Sequence, residues 1–184
     1  MTEVVGSVDQ VTVYPVKSLA GRTVAEARVE PRGLVGDRAW SVVDGTTGER
    51  VTVKTTPELA EIVATGDDGA DTITLTEVLG RPVRLQRTES PQVDAAAVHL
   101  VSRSAIDRAA AGDVPAGCSA DDPRANLLLD LDDGADERAW VGRSLRVGEV
   151  ELTVTRTPKH CLGVYAEVRT PGLVRPGDRV ELLT

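Results

Sequence analysis

The stretch Ser144-Leu145-Arg146-Val147-Gly148-Glu149-Val150-Glu151-Leu152-Thr153-Val154-Thr155-Arg156-Thr157 decides the fold class. It reads as two strands, 144–147 and 149–157, because β-branched residues recur between turn-forming ones. The second run stops in Pro158-Lys159-His160-Cys161, which sets a thiol in a turn beside a lysine and a histidine. Positive potential there favours thiolate, the form that attacks electrophiles and binds soft metals. Free cysteine is also among the most buried residue types, so Cys161 reads either as a site or as a small hydrophobe of the core.

Toward the N-terminus the pattern repeats. Strands are expected at 4–13, 23–29, 38–44, 50–54, 71–76 and 82–87, with a strand-like piece at 61–65, all punctuated by Gly, Pro and Asp. This spacing suggests a barrel or sandwich. Asp44-Gly45-Thr46-Thr47-Gly48 is a hairpin loop, and Thr56-Pro57-Glu58-Leu59 starts a single helical turn. After a polar stretch at 88–94, a strand at 98–101 leads to a helix capped by Ser102 or Ser104 and ending near Ala111-Gly112. Strands resume at 126–131 and again at 178–183. Segments 112–123 and 162–176 are expected to be irregular, mobile loops. The class is mainly β (α+β), with one or two short helices and no internal repeat.

Composition narrows the function. The chain has 184 residues, enough to bury a substantial core as one domain or as two small lobes sharing one core, and its net charge of −8 argues against a nucleic-acid or anionic-membrane surface. Aromatic residues make up 2% with no Phe, so the core must be built of Val, Leu, Ala and Ile. No apolar run has membrane-spanning length, and the start Met1-Thr2-Glu3-Val4 is not signal-like. Two cysteines, Cys118 and Cys161, form no disulfide framework and cannot supply an all-cysteine cluster, so a reducing cytoplasm is expected.

Several short motifs could carry chemistry. In Tyr14-Pro15-Val16-Lys17-Ser18-Leu19 a proline ends a ladder and sets Lys17 and Ser18 on a turn that could grip phosphate or carboxylate, or simply expose a solvated lysine. Gly33-Leu34-Val35-Gly36-Asp37-Arg38 brings an arginine to a strand start, as an oxyanion fork or as a partner for Asp37. Asp122-Pro123-Arg124-Ala125-Asn126 does the same, against the alternative of a local turn network. His99, between Val98 and Leu100, reads as a hydrogen-bonded core histidine. His160 neighbours Cys161, yet adjacent strand residues point to opposite faces, so it is not an obvious base. No dinucleotide fingerprint, phosphate loop or nucleophile elbow occurs.

Taken with Trp140-Val141-Gly142, Val147-Gly148 and Gly177-Asp178-Arg179-Val180, these motifs resemble the MOSC family, the domains named for the C-terminus of molybdenum cofactor sulfurases. The resemblance divides the chain into an N-terminal β segment, 1–90, and the MOSC domain proper, 91–184, in one compact unit. It implies a MOSC-type β-barrel that binds the molybdenum cofactor (molybdopterin). It further implies Cys161 as metal ligand and catalytic residue. Lys17, Ser18, Arg38 and Arg124 would hold phosphate and pterin, and Asn126 would contact pterin or scaffold the strand start. Lys159 and His160, where the family usually has Ser and Arg, would flank the cofactor. The activity implied is reduction of small N-oxygenated substrates with electrons from a separate donor protein. The alternative is a non-catalytic carrier of the cofactor or its sulfur, with Cys161 as sulfur acceptor.

Overall fold

The structure, a computed structural model, describes residues 2–88, 96–115 and 123–183. The strands are β1 (Thr2–Val13), β2 (Arg22–Val24), β3 (Ala27–Glu30), β4 (Gly33–Leu34), β5 (Trp40–Asp44), β6 (Val83–Arg87), β7 (Val98–Ser102), β8 (Leu127–Leu131), β9 (Ser144–Val147), β10 (Val150–Arg156), β11 (Val164–Thr170), β12 (Gly172–Val174) and β13 (Arg179–Leu183). Two α-helices join them, α1 (Asp68–Leu79) and α2 (Arg103–Ala110). The chain separates into two compact units. The larger comprises Met1–Thr12, Thr23–Val35 and Asp94–Thr184, and the smaller Val13–Arg22 and Gly36–Val93.

The larger unit is a closed barrel in the order β13-β9-β10-β11-β7-β8-β1, shut by pairing of β1 with β13. Every neighbouring pair is antiparallel except β7 and β8, which run parallel. The stretch that opens the sequence reading supplies its centre. In β10 the side chains of Val150, Leu152 and Val154 turn inward, while Glu151, Thr153 and Thr155 between them are less buried, the two-residue period of a half-buried strand. Val147 and Val150 are register partners, so Gly148 and Glu149 form a two-residue loop, with Gly148 at φ 57° in its first position. Valine, leucine and alanine fill the barrel, among them Val8, Val11, Leu100, Leu129, Leu145, Leu152 and Ala166, as the near-absence of aromatics requires. All five residues of β7 are buried. A three-stranded sheet, β12-β3-β4, belongs to the same unit.

The smaller unit pairs β5 with β6 and carries α1. Its core is Val16, Leu19, Val42, Val51, Leu59, Ala64, Leu75 and Val83. The turn at 44–48 forms as expected, with Gly48 N–H donating to the Asp44 carbonyl at 2.9 Å. Pro57–Glu61 is the single helical turn.

Three expectations need correction. The segment 71–76 is helical, not a strand: Asp67 caps α1 by accepting from Ala70 N–H at 2.9 Å, and Gly80 ends it at φ 60°. The segment 162–176 is not a mobile loop, because β11 pairs with both β10 and β7, and β12 with β3. Residues 50–54 form no strand, and only Arg50 bridges to Val43. Cys118, most of the loop expected at 112–123 and most of the polar stretch 88–94 lie outside the described residues. No helix among the described residues is long and apolar enough to cross a membrane.

Candidate functional site

In the smaller unit the two N-terminal motifs meet. Val16 bridges to Trp40, Lys17 N–H donates to the Trp40 carbonyl at 2.8 Å, and Trp40 N–H donates to Pro15. Leu19 N–H closes a turn onto the Val16 carbonyl at 3.2 Å, with Lys17 and Ser18 as its central residues. Ser18 has φ 75°, the conformation that the third residue of such a turn adopts when it is glycine. Lys17 is half-buried and Ser18 buried.

Arg38 is fixed from several sides. Its side chain is paired with the carboxylate of Asp37, and both are buried. The other Asp37 oxygen accepts from Tyr14 N–H at 2.8 Å, and the guanidinium lies 4.8 Å from the Tyr14 ring centre. Pairing with Asp37 is therefore real, and it orients a cation whose planar fork has donors on more than one edge. Arg38 too has positive φ, 48°.

In the larger unit Cys161 stands on the connection between β10 and β11. It is half-buried, with Sγ 3.5 Å from the Pro123 carbonyl, so it is not a core hydrophobe. Lys159 and His160 beside it are exposed. Next to Pro123, Arg124 is half-buried and has φ 53°. The thiol turn and the arginine turn are thus neighbours. Asn126 is 2% exposed and scaffolds the strand start: its Oδ1 accepts from His99 N–H at 3.2 Å, and its Nδ2 reaches the Thr12 carbonyl at 3.4 Å. His99 is the buried, hydrogen-bonded histidine that the sequence suggested, with Nε2 2.8 Å from the Leu162 carbonyl.

Among the described residues, three that are not glycine have positive φ, and they are Ser18, Arg38 and Arg124. Such conformations are uncommon outside glycine, cost on the order of 1–3 kcal/mol, and collect at ligand clamps. All three are among the residues singled out from sequence. Tyr14 and Asp37, which hold Arg38, were not assigned a site role. The Tyr14 position next to Pro15 and the adjacency of Asp37 to Arg38 were the available signals.

Among the described residues no three His, Cys, Asp or Glu side chains gather to hold a metal ion. A metal at Cys161 would therefore draw ligands from a cofactor, which is the donor set that a dithiolene offers a soft metal. The polar groups on the three strained turns are cations or hydroxyls, suited to a phosphorylated partner. The residues fit such a group.

A closed, mostly antiparallel barrel with a thiol on one inter-strand connection places the chain among β-barrel proteins. The chain belongs to the family described as MOSC N-terminal beta barrel domain, whose model matches residues 5–116. It is 36% identical over 88 residues to mitochondrial amidoxime-reducing component 1 of Mus musculus, covering 46% of this chain and 25% of that protein. It is 44% identical over 52 residues to molybdenum cofactor sulfurase of Solanum lycopersicum, covering 28% of this chain and 6% of that protein. The matched stretches thus span a quarter or less of these relatives' own length. In three dimensions it resembles the YUAD protein from Bacillus subtilis, with a TM-score of 0.56 at 12% identity, covering 99% of this chain and 97% of that one. That likeness concerns the fold.

Proposed function

We propose that this chain binds the molybdenum cofactor and reduces small N-oxygenated substrates. The observation that carries the reading is the coincidence of non-glycine positive φ with Ser18, Arg38 and Arg124. Strain held at three polar turn residues is the mark of a ligand clamp rather than of a scaffold. The similarity to an amidoxime-reducing component and to a molybdenum cofactor sulfurase supports the molybdenum cofactor as that ligand.

In this reading Cys161 is the protein's ligand to the metal. Lys17, Ser18, Arg38 and Arg124 are the residues proposed to take the cofactor's phosphate and pterin through charge-assisted hydrogen bonds. Lys159 and His160, both exposed, contribute positive potential near the thiol. Asn126 acts through the backbone it holds. When bound, the cofactor supplies two-electron removal of oxygen from the substrate, which leaves as water with two protons taken up. The electrons come from a separate redox protein, since the sequence has neither a dinucleotide fingerprint nor enough cysteines for a cluster.

The experiment is metal analysis of the purified protein, followed by assay with an N-hydroxylated substrate. Reduced nicotinamide cofactor alone should give no turnover, and reduced methyl viologen should give turnover. Rapid turnover from nicotinamide alone would overturn the need for a partner. Bound molybdenum with no turnover even from viologen favours the second reading, a carrier of the cofactor or its sulfur, which the sulfurase similarity supports.

A further inference from the structure

We propose that His99 is a positioning residue that fixes the Cys161 thiol against the Pro123-Arg124 turn. The proposal deepens the reading of Cys161 as metal ligand and rests on that reading for its functional meaning. His99 lies on β7, 6% exposed, and reaches both sides of the thiol turn. Its Nε2 is 2.8 Å from the carbonyl oxygen of Leu162, the residue directly after Cys161. A carbonyl can only accept, so Nε2 carries the proton and the ring is held in that state by its partner. The His99 main chain grips the other side, with its N–H donating to Asn126 Oδ1 and its carbonyl accepting from Asn126 N–H at 2.9 Å. Asn126 is two residues beyond Arg124, so one buried residue ties together the backbone next to Cys161 and the backbone next to Arg124.

The flanks of the thiol turn are pinned by the same ring. His99 and Tyr165 are register partners, and their ring centres are 4.8 Å apart at a tilt of 59°. The Arg156 guanidinium lies 5.5 Å from the centre of the other participant, the Tyr165 ring, and Arg156 at the end of β10 is the register partner of Tyr165, the second residue of β11, across the turn. Leu162 itself is buried with Val101, Ala105 and Ala109. A polar group inside a fully buried strand costs free energy unless it is satisfied, and here the bond that satisfies it is made to the thiol's neighbour. The 3.5 Å approach of Sγ to the Pro123 carbonyl is the consequence of these two anchors.

The test reads the thiol directly and needs no metal. In a Cys118→Ser background, Cys161 is alkylated with iodoacetamide at fixed pH and followed by intact-mass spectrometry. His99→Gln can still donate to Leu162 and should stay within about twofold of the parent. His99→Phe keeps the packing but loses the donor, and should alkylate about five-fold faster, the loss of one net hydrogen bond. Val154→Ala, a core truncation in the same barrel, is the control for general destabilisation and should leave the rate unchanged. Should His99→Phe not fold, His99→Asn, too short to reach Leu162, is read in its place. A donor-less variant that alkylates at the parent rate, or a Val154→Ala rate raised as far, overturns the proposal. Molybdenum content measured on the same variants and on Cys161→Ala separates the two ideas: if alkylation follows His99 while Cys161→Ala keeps its metal, the positioning role stands and the ligand assignment falls.

Discussion

The guanidinium of Arg38 stands 4.8 Å from the centre of the Tyr14 ring, while Arg38 N–H donates to the Tyr14 carbonyl. Side chain and main chain of one residue therefore hold the same partner, and Asp37 completes the clamp by accepting from Tyr14 N–H. A cation fixed this rigidly loses little further freedom when it meets an anion.

Arg38 and Lys17 should separate fold from binding. Arg38→Ala leaves Asp37 buried without its charge partner and should cost about 3–5 kcal/mol of stability in urea unfolding. Lys17→Ala removes a half-buried charge and should cost under about 1 kcal/mol, yet weaken cofactor retention by about ten- to hundred-fold, the worth of one charged hydrogen bond. Equal retention by Lys17→Ala and wild type removes Lys17 from the cradle.

Cys161→Ala should lose bound molybdenum, or all turnover, while the melting temperature stays near that of the parent, because the thiol is half-buried rather than a core group. Cys118→Ala should keep both. Molybdenum content equal in Cys161→Ala and wild type excludes ligation. Metal retained with turnover lost points instead to a persulfide or nucleophile role.

Gly163 should tolerate no side chain. It has φ 77°, and a Cβ there would run into the Leu100 carbonyl and the Val101 side chain. Gly163→Ala should destabilise by more than about 2 kcal/mol, combining backbone strain with a clash against a main-chain atom. Gly36→Ala has open space around its Cβ and serves as the comparison, with only the left-handed backbone to oppose it. A chemical-denaturation midpoint for Gly163→Ala no lower than that of Gly36→Ala contradicts the packing of the thiol turn.

Acid should act partly through Glu151. A hydrogen bond from Arg146, then one from the Thr170 hydroxyl, holds its carboxyl below its ordinary value. A depressed carboxyl protonates later in the folded than in the unfolded chain. Its contribution is thus present at neutral pH and lost as pH falls through the folded value. Glu151→Gln should melt slightly below wild type at neutral pH and converge with it as pH falls through the folded-state value of Glu151. A gap that widens in acid reverses the sign and rejects the pairing.

Much of the barrel was legible because Val150, Leu152 and Val154 declare their period locally, and because Ser102 announces α2 as an N-cap. The helix at 68–79 was not, since its Thr72-Ile73-Thr74 run carries strand preference while its caps, Asp67 and Gly80, have twelve residues between them. Strand β11 was hidden between Gly163 and Pro171, which read as loop punctuation. Its alternation of buried Val164 and Ala166 gains meaning only from β7, a strand more than sixty residues earlier. For the site, residue types pointed to Ser18, Arg38 and Arg124, but their shared backbone conformation depends on tertiary contacts such as Asp37 to Tyr14. No local pattern encodes it.

The seam between β1 and β13 gives this chain a particular order of assembly. Thr2 is paired with Leu183, so the ring of strands is joined by residues far apart in the order of synthesis. Every residue of the smaller unit, by contrast, precedes position 94 and is complete before β7 leaves the ribosome. During synthesis β1 must wait with an exposed edge, a template for pairing with other nascent chains. A chain stalled before Arg179 would carry two such edges, on β1 and β9, and would be a substrate for chaperones rather than a shortened working protein.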